Sequence, residues 1–469
     1  MGGYVLFWSD ALVYLLVAML SGFVWYVRGR EHLRRPWRKI LRDKAAMVSL
    51  VLLLPYGVIG LLDSVHFQPG LDSPSANGSS INEAISLFDA WAGALRNHTE
   101  KTYSRPLAVY AYSREYLTRP DGSQGWDYPR LLHGGAHLSA DSPETERWRD
   151  IAGTLAGGLG KGTVAWLLVS LAGCLGAARR SGQSLSCMLH AVLTSQTEIP
   201  WRAMLITLLL LAAGGFALAD LAAGYHVLGT DKVGQDVLYQ SLKSIRTGLV
   251  IGTLTTLVML PFAVIMGMLA GFFQGWVDDV VQYLYTTLNS IPSVLLIAAS
   301  ILMVQVYMAN HEAQFASLAL RADLRLVFLC AILGITNWTG LCRLLRGETL
   351  KLREMEFVQA ARALGVKPWT ILGRHILPNL LHIILISVVL DFSALVLAEA
   401  VLSYVNIGVD PTTQSWGNMI NSARLELARD PVVWWSLTAA FALMFTLVLA
   451  ANLFADAVRD ALDPRRVDA

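Results

Sequence analysis

With 469 residues, 54% of them hydrophobic and only 15% charged, the chain cannot be an ordinary soluble domain, where about 25% of residues are charged, and is expected to be a polytopic membrane protein. Its net charge of +2 argues against a nucleic-acid or other polyanion partner, so the information lies in where the charges sit. Cys174, Cys187, Cys330 and Cys342 lie in or beside apolar runs without metal-ligand spacing, and none falls within residues 63–158, which excludes a disulfide framework there.

A membrane span takes about 20 mostly apolar residues. In chain order the candidates are 8–27, 45–62, 163–178, 203–222, 247–271, 280–307, 325–345, 380–403 and 432–455. Before Arg28 there is neither a basic n-region nor a small-residue cleavage site, so 8–27 is expected to be a retained helix. Residues 28–44 carry eight Lys/Arg, which marks a cytoplasmic loop and puts the N-terminus outside, in the periplasm. Counting onward places 63–162 outside, 346–379 inside and the C-terminus inside. Arg179–Arg180, the basic residues of 343–374 and the tail residues Arg459, Arg465 and Arg466 agree with this count. Asp278 and Asp279 disagree, because 272–279 is assigned inside yet holds no Lys or Arg.

The long polar stretch 63–162 is Ser/Gly/Pro-rich at 68–80 and then aromatic, which predicts loops around a small ordered domain, with one short amphipathic helix at 83–97. His133 and His137 supply two imidazoles without a third ligand, so a polar turn is expected and no metal. Gly157–Thr163 departs from the phosphate-loop pattern, since Gly162 follows Lys161 directly and no strand precedes it, and no ATPase chemistry is expected of this chain. Residues 228–245 alternate acidic and apolar positions and predict a short amphipathic helix on the outer surface, carrying Asp231, Gly234 and Asp236. On the span 380–403, Asp391 and Glu399 differ in direction by about 80° at 3.6 residues per turn. Each is a candidate for lining a pathway or for bonding a neighbouring helix.

Between the expected spans 325–345 and 380–403 lies a polar, helix-forming segment. Residues 348–364 predict a helix with an apolar stripe at Leu352, Phe357, Ala360/Ala361 and Leu364. Gly365 stops it, Lys367-Pro368 starts a second short helix, and Pro378, after Leu377, resets the chain direction. Small alanines would let a partner approach closely. An interfacial helix that merely lies on the membrane is the alternative.

Six strings, taken in order, carry a resemblance over roughly residues 203–466. They are Leu228–Asp231 with Gly234–Leu238, where Gln235 replaces an Arg; Gly275–Asp278 with Ile291-Pro292; Glu356–Asn379; Ala398–Ala400 with Leu402–Tyr404; Ser415–Met419; and Asp460–Pro464. In the third string Gln359 stands for a glutamate and His375 for an isoleucine. The chain resembles the inner-membrane permeases of dipeptide, oligopeptide and nickel ABC importers, of the second type in each permease pair.

The resemblance implies an all-α, six-helix permease core at 203–469 with a coupling loop at 346–379. Ahead of it would stand a two-helix extension (1–62), an extracytoplasmic domain (63–162), and a third extra helix with its cytoplasmic linker (163–202). It further implies a bacterial inner-membrane transport subunit that is not itself an enzyme. ATP and Mg would be bound by two partner ATPase subunits and no cofactor by this chain. A second permease and an extracytoplasmic binding protein would complete the importer. Glu356, Gln359, Ala360, Ala361, Gly365, Lys367, Leu377 and Pro378 would form the ATPase-coupling loop. Two other readings are a sensor or assembly protein that uses 63–162 and an ion-coupled secondary transporter.

Overall fold

The computed structural model describes residues 4–29, 31–68, 84–118, 124–139, 144–182, 184–194, 197–311, 315 and 317–462. Nearly all of the Ser/Gly/Pro-rich stretch 68–80, the end of the Asp460–Pro464 string, and Arg465 and Arg466 therefore lie outside the described residues.

The chain opens with strand β1 (Tyr4–Val5), helices α1 (Trp8–Arg28), α2 (Glu31–Arg42) and α3 (Lys44–Asp63), and strand β2 (His66–Phe67). Strand β3 (Ile85–Ser86), helices α4 (Leu87–Trp91) and α5 (Gly93–Asn97), and the hairpin β4 (Glu115–Thr118)–β5 (Gln124–Asp127) follow. The rest is helical: α6 (Glu144–Ser181), α7 (Leu185–Leu193), α8 (Trp201–Gly224), α9 (Val237–Phe273), α10 (Trp276–Ser290), α11 (Ser293–Asn310) and α12 (Leu318–Arg353). Then come α13 (Glu356–Ala363), α14 (Pro368–Ile371), a π-helical turn (Leu372–Ile376), α15 (Leu377–Tyr404), α16 (Trp416–Glu426) and α17 (Trp435–Leu462).

Eight helices among the described residues are long and apolar enough to cross a membrane. These are α1, α3, α6, α8, α9, α11, the α14–α15 rod and α17. The expected span 325–345 lies inside α12, a 36-residue helix that buries Leu326, Leu329, Leu333, Leu341 and Leu345. Three expectations change. The expected span 280–307 is two helices, because Ile291 adopts an extended conformation before Pro292 (φ −94°, ψ 129°), as steric clash with a following proline requires. The expected helix 83–97 divides into α4 and α5 after the capping box of Ser86 and Asp89. The third expected span, 163–178, belongs to a helix that already starts at Glu144. At 1.5 Å per residue α6 is about 57 Å long, well beyond a hydrocarbon core of about 30 Å.

The chain forms two compact units. The first comprises Met1–Val5, Arg38–Arg246 and Gln414–Ala450. In it β1, β2 and β3 form one antiparallel sheet, pairing Tyr4 with Phe67 and His66 with Ser86, so the chain before α1 and the chain after α3 share one end of the unit. Val109, Ile151, Leu221 and Tyr225 form one small core of this unit, and Phe88, Ala92 and Tyr239 form another.

Helices α6 and α8 form a tight hairpin in this unit. A Cβ on Gly158 would stand 2.6 Å from the Ala217 Cα, and one on Gly162 would stand 2.6 Å from the Ala213 Cα. Small residues four apart let two backbones approach in this way. The phosphate-loop-like string at 157–163 is thus a helix-packing seam. Lys161 sits on that helix and pairs with Asp220 of α8 at 2.8 Å.

The second unit comprises Leu6–Trp37, Thr247–Thr413 and Ala451–Ala469. One of its cores joins Val250, Ile251 and Leu254 of α9 with Leu326, Leu329 and Leu333 of α12. Another joins Met259, Ala263 and Ala270 of α9 with Leu341, Leu345, Val358, Ile371 and Ile376. The extra helix α1 is held here as well. No side chain of its own caps its first turn; instead the Asp323 carboxylate of α12 accepts the Trp8 N–H at 2.9 Å and the Ser9 N–H at 3.3 Å. This meets two of the four N–H groups that every helix start leaves open.

The α6–α8 seam is testable. Gly162→Leu is expected to lower stability by about 1–3 kcal/mol through overpacking, read as a lower thermal midpoint. Gly160→Leu, whose Cβ would meet nothing within 4 Å, should leave the midpoint close to that of the parent.

Candidate functional site

The polar segment after α12 is rooted in the second unit. Helix α13 ends in a Schellman motif: the Val366 N–H donates to the Ala361 carbonyl at 3.1 Å and the Gly365 N–H to the Arg362 carbonyl at 2.9 Å. The motif needs a left-handed residue, and Gly365 has φ +75°. Pro368 then opens α14 in its first turn, where its missing N–H costs nothing.

The helix continues through Pro378. This proline lacks the N–H that would bond the Arg374 carbonyl, and the ladder adjusts through the π-helical turn at Leu372–Ile376. Helix α14 therefore runs on into α15 without a break in the helix, Pro368–Tyr404. Leu377 packs against the adjoining core.

The expected apolar stripe divides between two faces. Val358 and Ala361 are buried, with Leu352 and Val366 packed against the same core. Phe357 and Leu364 are exposed, along with Met355 and Trp369; Leu364 is 83% and Trp369 67% exposed. Ala361 is thus a root of the loop, and Ala360 is the small residue open to a partner. Glu356 and Lys367 are exposed at the starts of α13 and α14. The Gln359 amide donates to the Arg353 carbonyl at 3.2 Å and to Glu354 Oε2 at 3.3 Å. A carboxylate at 359 would face two acceptors there, so glutamine suits these neighbours.

Three arginines fasten the loop. Arg353 donates to the Phe272 carbonyl at 3.1 Å, and the Arg362 guanidinium lies 4.5 Å from the centre of the Phe272 ring. Arg346 grips Asp278 with two hydrogen bonds, of 2.5 and 2.6 Å. Hydrogen bonding to this guanidinium holds the Asp278 carboxyl below its ordinary range. Of the two acidic residues that disagreed with the charge count, Asp278 is therefore one half of an ion pair with α12.

On α15, Glu399 is buried and accepts the Ser403 hydroxyl at 2.7 Å. Asp391 is half-buried and has no hydrogen-bond or ion-pair partner among the described residues.

In the first unit, residues 228–245 are not a separate helix. Residues 226–236 form turns, and 237–245 begin the long helix α9. Asp231 folds the turn by accepting the N–H groups of Val233 and Gln235, both at 2.9 Å. Gly234 (φ +77°) leaves room for the Glu100 carbonyl, which a Cβ would meet at 1.8 Å. Thr230 donates to the Thr102 carbonyl at 2.8 Å, and Trp435 donates to the Thr230 carbonyl at 2.9 Å.

Beneath this turn lies a cluster that sequence reasoning missed. His226 Nδ1 is 2.8 Å from Asp236 Oδ2, and its Nε2 is 3.3 Å from Glu100 Oε1. Glu100 also accepts the N–H groups of Leu132, His133 and Gly134 at 2.8, 2.7 and 3.2 Å. Asp236 Oδ1 accepts the Tyr239 N–H at 3.1 Å, capping the start of α9. Burial alone would lower the His226 pKa, but the hydrogen bonds and charges of Asp236 and Glu100 outweigh it and raise it to about 9. Burial would raise the Glu100 pKa, but the His226 and backbone hydrogen bonds hold it down to about 2. His133 stacks on His98 at 4.6 Å and His137 pairs with Asp150 at 2.8 Å, so each imidazole has a local partner.

The cluster fixes a pH dependence. His226 is raised from 6.5 to about 9, so its stabilisation is complete below about pH 6.5 and lost as pH rises through about 9. Glu100 is lowered from 4.5 to about 2, so its contribution is complete above about pH 4.5 and lost as pH falls toward 2. Thermal unfolding followed by tryptophan emission is expected to show greatest stability between these limits, with a decline across the alkaline limb. In His226→Gln that alkaline decline should be shallower and the stability near pH 6 lower. An unchanged alkaline limb in this variant contradicts the assignment.

Comparison with known proteins bears on the C-terminal half of the chain. Residues 263–468 match the family described as binding-protein-dependent transport system inner membrane component. The chain is 32% identical over 240 residues to the glutathione transport system permease protein of Pectobacterium atrosepticum, covering 51% of this chain and 73% of that protein. It is 30% identical over 239 residues to the oligopeptide transport system permease protein of Mycobacterium bovis, covering 51% of this chain and 76% of that one. The dipeptide transport system permease protein of Lactococcus lactis is 30% identical over 240 residues, covering 51% and 64%. On the extent and identity of these matches, the chain belongs to the family of inner membrane components of binding-protein-dependent transport systems.

Proposed function

We propose that the chain is the permease subunit of an ATP-driven importer of peptides or related small solutes, in a bacterial inner membrane, with its C-terminus in the cytoplasm and its N-terminus in the periplasm. The observation that carries the coupling part of this reading is the loop after α12. It has a buried root at Val358 and Ala361 and an exposed apolar surface at Met355, Phe357, Leu364 and Trp369. Exposed apolar side chains clustered on a polar, firmly anchored loop mark a protein interaction site.

In this reading an ATPase subunit receives the loop, with Ala360 at the closest approach and Glu356, Gln359 and Lys367 around it. Gln359 is turned toward its own chain, so the contact rests on shape and apolar area. ATP and Mg belong to a pair of such ATPase subunits, a second permease completes the pathway, and an extracytoplasmic binding protein delivers the solute. The relatives named for glutathione, oligopeptide and dipeptide transport support a peptide-like cargo. Asp391, a half-buried carboxylate on a spanning helix, is assigned to the pathway wall.

Tagged parent protein should co-purify with an ATPase and a second permease. Ala360→Arg is expected to keep the second permease and to weaken ATPase retention by more than about tenfold, the scale of a central interface residue, with loss of ATP-dependent uptake of a labelled dipeptide. Undiminished uptake in that variant defeats the coupling assignment. Asp391→Asn is expected to alter the KM for uptake while leaving complex assembly intact; an unaltered KM removes Asp391 from the pathway.

A further inference from the structure

Helices α3 and α8 begin side by side in the first unit, and a cavity of about 310 Å³ lies between their N-terminal ends. Arg42, Lys44 and Arg202 line it, together with one carboxylate, Glu198, and an apolar wall of Ala203 and Ile206. The volume is at the lower end of small-molecule sites, which run roughly 300–1,000 Å³. Glu198 pairs with Arg42 at 2.9 Å, and both side chains are largely exposed. Lys44 and Arg202 have no ion-pair partner among the described residues. The neighbouring Asp43 caps α3 by accepting the Ala46 N–H at 2.8 Å. No side chain caps α8, whose positive end faces the same region.

We propose that this cavity binds the phosphate of an anionic phospholipid headgroup. Three cations against one exposed carboxylate make it an anion site. Its position, where two spanning helices start, is the level at which headgroups sit. The apolar wall favours a lipid over a soluble phosphate, because Ile206 and Leu210, four residues apart on α8, are both exposed and continue from the cavity along the span. A free phosphate has no use for that track, whereas an acyl chain would cover it. Exposed Trp201 beside the cavity is the residue type enriched at this depth.

The test is lipid retention by the full chain in nanodiscs of phosphatidylcholine with or without phosphatidylglycerol, read by native mass spectrometry and by the thermal midpoint. The parent is expected to retain phosphatidylglycerol preferentially and to be stabilised by it. Lys44→Gln and Arg202→Gln should each weaken retention about fivefold, the effect of one cation near an anionic surface, and Arg202→Lys should restore most of it. Glu198→Gln, which removes an exposed carboxylate and should fold normally, should tighten retention. Equal retention by the parent and the Lys44→Gln/Arg202→Gln double variant, or no gain in Glu198→Gln, overturns the site. Stabilisation by inorganic phosphate alone, equal to that by phosphatidylglycerol, overturns the lipid as its ligand.

Discussion

Hydrocarbon offers a peptide group no hydrogen-bond partner, so a chain that crosses it can leave the helix only where something else satisfies the backbone. Several such departures among the described residues are closed by identifiable devices. Asp43 caps α3, and Asp323 caps α1 from another helix. Gly365 closes α13 with a Schellman pair, and Ser415 caps α16. Asp231 collects the amides of the turn before α9. The loop after α12 and the turn before α9 are both such departures. Their side chains are positioned by the need to satisfy backbone as well as by the partners they would meet.

The turn before α9 shows how a motif-like string can serve structure. Gly229, Thr230, Asp231, Gly234 and Asp236 all contact the segment around residues 100–104 or shape the turn that does. The segment around residues 100–104, which precedes the family-matched residues 263–468, is therefore locked onto this turn by a cluster of buried charged side chains. Removing one member of such a cluster strands the others without water or counter-charge, which is why His226→Gln should cost more than one hydrogen bond.

Much of this was legible in the sequence, for local reasons. Gly365, Pro368 and the alanines around them are short-range signals, and the loop between them formed as its residue types require. The six ordered strings placed the chain in its family. What escaped was non-local. Glu100 and His226 are 126 positions apart, and Arg346 and Asp278 are 68 apart; no periodicity or spacing rule joins such residues. The proximity of His226 to Leu228–Asp231 is the one local hint of the cluster. The faces of a short helix were also hard to assign. Leu352, Phe357 and Leu364 share helical spacing, but α12 ends at Arg353 and α13 starts afresh at Glu356, so the phase does not carry across the break. The span expected at 280–307 failed because apolar length outweighed Pro292.

The π-helical turn at Leu372–Ile376 has a mechanical meaning. An ordinary proline break would leave a hinge between the loop and the membrane, and a displacement of the loop would be absorbed there. A wider turn keeps the helix unbroken from Pro368 to Tyr404, 37 residues that measure about 55 Å along the helix path. Trp369 stands exposed at one end, and Glu399 is buried near the other. The exposed Trp369 beside the loop and the buried Glu399 thus belong to one continuous helix.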